Sequence, residues 1–402
     1  MPQTAMQAPA RPLEASAYQS LEMDADALMN ALEKHMIRVM APEMHKQLRT
    51  FSSAEVAALL GLSQTHLRKM HFDGKIPDVP ADDRGRRLYS ARDIYAIRVA
   101  LARTAKDPRQ YLPGRVGNEP LMTVACSTFK GGAGKTTTAA HVAQKCALDG
   151  YRVLVIDLDP QASLSTLMGL RPELDLTNEG TVYDAIRYED PRPMEEVIRQ
   201  TYFHNLDIAS GGLILSEFET ETAKALQVGG TTPFYLRLHE AIQQVEDRYD
   251  IVFIDCPPQL GFLTMSAMVA ANALLVPVVA NMIDISSLSQ FLHMASSLLS
   301  VIEESGLEHR YQFVRYVLCR HEPTDAPQVQ MAAFLRMQFG ERVMAETFLK
   351  STLVSDAGMT QNTLYEIDKS SVTRGTYERA VESFNGVARE LQESIHRSWG
   401  RV

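Results

Sequence analysis

Residues 129–137 read Phe-Lys-Gly-Gly-Ala-Gly-Lys-Thr-Thr, and no other stretch restricts the fold as tightly. Gly131, Gly132 and Gly134 lack a Cβ, so the backbone there can curl and aim its N–H groups at phosphate oxygens, with Ala133 between them. Lys135 opens the next helix, where the helix dipole already favours anions, and Thr136 and Thr137 follow. The Thr136 hydroxyl stands where such loops ligate Mg²⁺. The ordinary loop, Gly-x-x-x-x-Gly-Lys-Ser/Thr, would need glycine at Phe129; this chain instead carries a second lysine, Lys130, which has no task in that loop. The flanks agree. Met122–Cys126 has strand character, while Ala139, Val142, Ala143 and Cys146 recur at helical spacing until Gly150.

Two apolar runs resemble strands buried on both faces, and both end in acid. Val153-Leu-Val-Ile156 runs into Asp157-Leu-Asp-Pro-Gln161, and Ile251-Val-Phe-Ile254 into Asp255-Cys-Pro-Pro258. Ligands in open α/β sheets bind beyond the carboxyl ends of the strands, so Asp157, Asp159 and Asp255 can gather near Lys135. Carboxylates there can hold a Mg²⁺ water shell or orient an attacking water. Further buried-type strands are expected near 205–209, 273–279 and 313–318. The fold class is therefore α/β, a mostly parallel sheet with helices on both faces.

With these segments on the page, the chain resembles the ParA-type partition ATPases of the ParA/MinD group. Gly150-Tyr-Arg-Val, Pro258-Gln-Leu-Gly-Phe-Leu-Thr, Ser355-Asp-Ala-Gly, Thr363-Leu-Tyr-Glu and Arg374-Gly-Thr-Tyr narrow the likeness to the RepA proteins of repABC-type plasmid cassettes. It covers about residues 48–401. The resemblance implies ATP and Mg²⁺ as cofactors. It implies Thr136 and Asp255 at the metal, Asp157 supporting the metal shell, and Asp159 positioning the attacking water. Lys130 would cross to the partner subunit's nucleotide in a sandwich homodimer, acting as a point charge. It also implies slow turnover stimulated by a ParB-type partner (RepB) bound at a centromere, nonspecific binding to nucleoid DNA, and autorepression at an operator. Lys350, Lys369, Arg374 and Arg379 are candidates for the nonspecific contacts, with ordinary solvated cations as the alternative.

The front third carries its own signal. Leu21, Ala25, Leu28, Leu32, Met36 and Val39 form an apolar helical seam, read as a dimerisation helix or a helix packed on its own domain. Residues 51–76 fit a helix-turn-helix. Ser52 and Glu55 form a capping box, Gly61 marks the turn, and Ser63 caps a second helix exposing Gln64, Thr65, His66, Arg68 and Lys69 to a DNA groove. Arg84, Arg86 and Arg87 sit on a short basic wing before a helix from about Ala91. The expected domains are 1–47, an N-terminal region; 48–105, the winged module; 106–120, a proline- and glycine-rich linker; and 121–402, the ATPase domain. Loops are expected at Pro191, Pro193 and Gly229-Gly230.

Composition trims the rivals. A net charge of −9 argues against a protein that coats nucleic acid by bulk charge, and four scattered cysteines suit neither zinc nor iron–sulfur ligation. Residues 256–283 lack charge over a length that could span a bilayer, but Thr264, Ser266, Asn272 and Pro277 favour a buried helix followed by a buried strand. The tail presents Leu391, Ile395 and Trp399 among acidic neighbours, which suits core packing rather than a MinD-like membrane tail. A cytoplasmic, nucleoid-associated protein without membrane contact is expected. A transcription regulator would account for residues 51–90 and leave the rest unexplained.

Overall fold

The computed structural model describes residues 16–39, 46–170, 180–228 and 232–401. It divides into two units, Met1–Lys46 and Gln47–Val402. The first contributes the helix α1 (Ala17–Val39), on which Leu21 and Leu28 are exposed; the side chains of Leu32, Met36 and Val39 lie outside the described residues. So does the expected Gly229-Gly230 loop.

The second unit opens with the winged module: β1 (Phe51–Ser52), α2 (Ser53–Leu59), α3 (Gln64–Phe72), β2 (Leu88–Tyr89) and α4 (Ala91–Ala102). Ser52 accepts from the Glu55 N–H while Glu55 accepts from the Ser52 N–H, closing the expected capping box. Gly61 takes φ 65° in the turn, a conformation that favours glycine, and Ser63 accepts from the His66 N–H at 3.1 Å. Val56, Leu60, Leu67, Ile94 and Ile97 are buried together with Tyr89 of the wing strand, which pairs with Phe51.

The remaining strands form one eight-stranded sheet: β3 (Met122–Cys126), β4 (Val153–Asp157), β5 (Ile198–Gln200), β6 (Leu206–Ala209), β7 (Ile251–Asp255), β8 (Ala273–Val279), β9 (Phe313–His321) and β10 (Val343–Leu349). Their order is β10-β9-β8-β3-β7-β4-β6-β5, parallel throughout except for the edge pair β5–β6. All six expected strands are present. β5 and β10 are additional, and both lie at sheet edges. Residues 256–283 resolve into the helix Phe262–Ala270 and the buried strand β8. The helix Met282–Glu304 follows and is long and apolar enough to cross a membrane by length and composition. Here Leu288, Phe291, Ala295 and Ile302 turn one face of it inward. In the C-terminal helix Arg374–Ser398 and just beyond, Leu391, Ile395 and Trp399 are buried, as their stripe predicts.

Residues 106–120, expected as a linker, run along the surface within the second unit as a strap. Pro108–Gln110 forms a 3₁₀ turn, the Arg115 N–H donates to Asp250, and the Trp399 indole donates to the Pro120 carbonyl at 2.9 Å. Arg401 donates to the carbonyls of Pro113 and Gly114. Proline and glycine here shape a path along the surface.

The module is also locked from its other side. Arg98 of α4, 4% exposed, donates to the carbonyls of Leu59, Tyr111 and Leu148 and pairs with Asp149 at 3.3 Å. Leu148 and Asp149 end α5 (Lys135–Asp149), the helix that the phosphate loop opens. The arginine thus satisfies a carbonyl that a helix C-terminus leaves without a partner. Arg49 ties the start of the module to the Tyr365 carbonyl and the Tyr377 hydroxyl, and Lys369 pairs with Glu55 at 3.1 Å.

Candidate nucleotide-binding site

The site grows from three adjacent strand ends. β3 lies between β8 and β7, and β7 pairs with β4, so Cys126, Asp255 and Asp157 stand side by side in register. The loop after β3 turns through Gly132 (φ 76°) and Gly134 (φ 96°). Gly134 is the N-cap of α5, leaving the first N–H groups of that helix available to an anion. Lys135 is buried and donates to the carbonyls of Thr128 (3.2 Å) and Lys130 (3.3 Å), folding back over its own loop. Burial pulls its ammonium below the usual range, against the opposing fields of Asp255 and Asp159.

The carboxylates divide the work. Asp157 is fully buried. One oxygen accepts from the Asp159 N–H, the other from the Ser165 N–H and hydroxyl, and burial pushes its carboxyl up to about 6 against those donors. Ser165 in turn accepts from the Gly211 N–H at 3.0 Å. A Cβ on Gly211 would lie 2.8 Å from the Asp159 carbonyl and 2.9 Å from that of Asp157, so only glycine leaves the acidic loop undisturbed. Asp157 therefore anchors the loop that presents Asp159.

Asp255 is different. Both its oxygens are buried and neither meets a protein donor in good hydrogen-bond geometry, although the Thr136 hydroxyl lies close enough to favour the charged form. Burial first, then the neighbouring Asp157, raises it well above the carboxylate range, opposed by the Thr136 hydroxyl and by Lys135. A carboxylate buried without a well-aligned donor beside a phosphate loop fits the hydrated shell of a divalent cation, with Thr136 the adjacent hydroxyl.

Lys130 does not lean over this nucleotide pocket. Its ammonium pairs with Asp284, a buried carboxylate in the first turn of Met282–Glu304 that is also held by Asn281. The helix after β8 thus meets the front edge of the loop.

The cleft above the loop has a volume of about 760 Å³. Asp159 and the loop residues line one side; Arg320, Phe348, Lys350, Val354 and Phe384 line the other. Arg320 adopts φ 54° and donates to the Gly132 carbonyl at 3.4 Å. None of that second wall was expected from the sequence, because β9, β10, the helix Thr352–Met359 and the C-terminal helix bring it in from roughly 185 to 250 residues away. Lys350, expected on a DNA surface, stands in this cleft and pairs with Glu322 at 2.7 Å. Lys369 is engaged by Glu55 and Arg374 by Glu378, whereas Arg379 is exposed with no ion pair among the described residues.

On the front module, Gln64, Thr65, His66, Arg68 and Lys69 are all exposed on α3. The wing arginines are not equivalent. Arg86 pairs with Asp82 at 2.8 Å, Arg87 donates to the Val79 carbonyl, and Arg84 projects with no ion pair among the described residues.

Comparison with known proteins follows the same division. The AAA domain family matches residues 121–305. "Putative replication protein A" of Rhizobium rhizogenes is 46% identical, over 95% of both chains, and its namesake in Sinorhizobium fredii (strain NBRC 101917 / NGR234) is 44% identical over 98% of this chain and 97% of its own. The chromosome partitioning protein ParA of Caulobacter vibrioides (strain NA1000 / CB15N) is 32% identical over 59% of this chain and 84% of its own. Among solved structures, a partition protein shares the fold with TM-score 0.61 at 17% identity, covering 94% of this chain and 99% of its own. A Cyanothece McdA variant in complex with ATP follows at TM-score 0.55 and 20% identity, over 68% of this chain and 97% of its own. A glycine loop with a second lysine, acidic ends on the adjacent strands, and near full-length identity to replication protein A together make this chain a member of the ParA-type partition ATPases, most like the RepA proteins of repABC plasmid cassettes.

Proposed function

We propose that the chain is a plasmid-segregation ATPase of the cytoplasm and nucleoid, without membrane contact, that dimerises on ATP, binds DNA and is reset by hydrolysis. The observation that carries this is Asp255, a buried carboxylate with no well-aligned protein donor, beside Lys135 and Thr136. In this reading the loop amides and Lys135 hold the phosphates, and Thr136 with Asp255 holds Mg²⁺. When bound, the metal would supply charge neutralisation at the phosphates. Asp159 orients the attacking water, and Asp157 holds Asp159 in place. Lys130 leaves Asp284 and reaches the nucleotide of the second subunit, where its charge offsets that of the transition state.

α1 serves as a nucleotide-independent dimer contact. The winged module binds the cassette's own operator through α3 and Arg84, giving autorepression, and exposed cations such as Arg379 add nonspecific DNA contacts. A ParB-type partner at the centromere stimulates turnover. The test is phosphate release with Mg²⁺ and ATP, with and without DNA and the partner encoded beside this chain. A weak basal rate raised by the two together is expected; no turnover under any of these conditions would sink the reading.

A further inference from the structure

Phe72, the last residue of α3, is 91% exposed. A single exposed apolar side chain is ordinary on a protein surface; the company of this one is not. On a helix, positions 65, 68, 69 and 72 fall on one face, opposite the buried Leu67 and Met70 that fix α3 to its module. That face carries Thr65, Arg68 and Lys69, all exposed, and neither cation has an ion-pair partner among the described residues. Residues 48–105 hold ten Lys and Arg against six Asp and Glu, a net +4 within a chain of net −9. The aromatic ring therefore ends a cationic stripe on the positive part of an acidic protein.

We infer that Phe72 is a sequence-reading residue that packs on thymine 5-methyl groups in the major groove of duplex DNA. This rests on the proposed DNA-binding role of the front module and extends it from charge to base identity. The methyl of thymine is the one apolar group that the four bases present in that groove, and an aromatic ring is among the side chains that read it. An α-helix with its side chains is about 10–12 Å across, which fits a groove about 12 Å wide. Arg68 and Lys69, one turn before Phe72, supply the phosphate or guanine contacts that set its register.

The test uses the full chain and the DNA directly upstream of its own coding sequence. The duplex is amplified once with thymidine triphosphate and once with deoxyuridine triphosphate, which removes only the methyl groups. Affinities are measured at fixed salt against unrelated competitor DNA. The parent is expected to bind the thymine duplex roughly 3- to 10-fold more tightly than the uracil duplex, the size of one or two buried methyl contacts. Phe72→Ala should bind both duplexes alike, near the parent's uracil value, while Phe72→Leu should keep most of the preference. Arg68→Ala should weaken both duplexes and leave the ratio standing. An equal thymine-to-uracil ratio in the parent and Phe72→Ala would overturn the inference, as would an unchanged affinity of Phe72→Ala for the thymine duplex. If the parent binds neither duplex, the DNA-binding reading of the module falls with it. Because Phe72 is solvent-exposed, its replacement should leave the thermal midpoint unchanged, which a melting curve checks.

Discussion

At the scale of single residues, the three aspartates make distinguishable predictions. Asp159→Ala should abolish ATP turnover while a fluorescent ATP analogue still binds, because the phosphate cradle does not use that carboxyl group; normal turnover would remove Asp159 from the mechanism. Asp255→Asn should do the opposite of most core substitutions. It removes a carboxyl buried without a well-aligned donor, so the nucleotide-free protein should melt higher, and the thermal shift given by MgATP should disappear. A lower midpoint, or an intact MgATP shift, would show that Asp255 is structural. The glycines, lysines and acids of the loop were legible from the sequence because each lies on, or one strand from, a contiguous motif. Gly211, Asp284 and Arg320 were not. Each meets the loop only through strand order, and nothing in the residues around them announces that neighbourhood.

At the scale of elements, caps and buried runs were readable and edges were not. The Ser52–Glu55 box and the Ser63 cap follow from residue types at fixed spacing, and they formed as read. β10, Val343-Met-Ala-Glu-Thr-Phe-Leu349, escaped because an edge strand buries only part of one face, so it shows neither a continuous apolar run nor clean alternation. The same α2 cap carries a pH prediction. Burial pushes the Glu55 carboxyl up, but the Ser52 N–H and Arg49 outweigh it and hold it down to about 2. A carboxylate with a depressed pKa stabilises the fold above its unfolded value, near 4.5, and loses that contribution as pH falls toward 2. The loss amounts to about 3 kcal/mol. Acid titration should therefore loosen residues 48–105 in this window, seen by hydrogen exchange, and Glu55→Gln should remove that part of the pH dependence. An acid response identical in both proteins would contradict the assignment.

At the scale of the whole molecule, the winged module and the ATPase sheet share a joint. Arg98 reaches from α4 to the end of α5, whose other end is the phosphate loop. Arg98→Ala would leave Asp149 without this partner and three carbonyls without a donor, at a cost of about 3–5 kcal/mol. Protease cleavage between residues 103 and 120 should rise, and nucleotide affinity should fall with it; a variant with parental cleavage would show that the strap alone holds the module.

The central claim is that the second lysine of the loop works across a dimer, and subunit mixing tests it most directly. Lys130→Ala and Lys135→Ala should each hydrolyse almost no ATP alone. A mixed dimer, however, contains one site with an intact Lys135 faced by an intact Lys130. Unfolding and refolding the two variants together, so that subunits re-pair at random, should therefore restore up to roughly a quarter of parental turnover, since half the dimers are mixed and each has one competent site. Turnover by Lys130→Ala alone at the parental rate, or no recovery on mixing, would contradict a lysine that acts in trans.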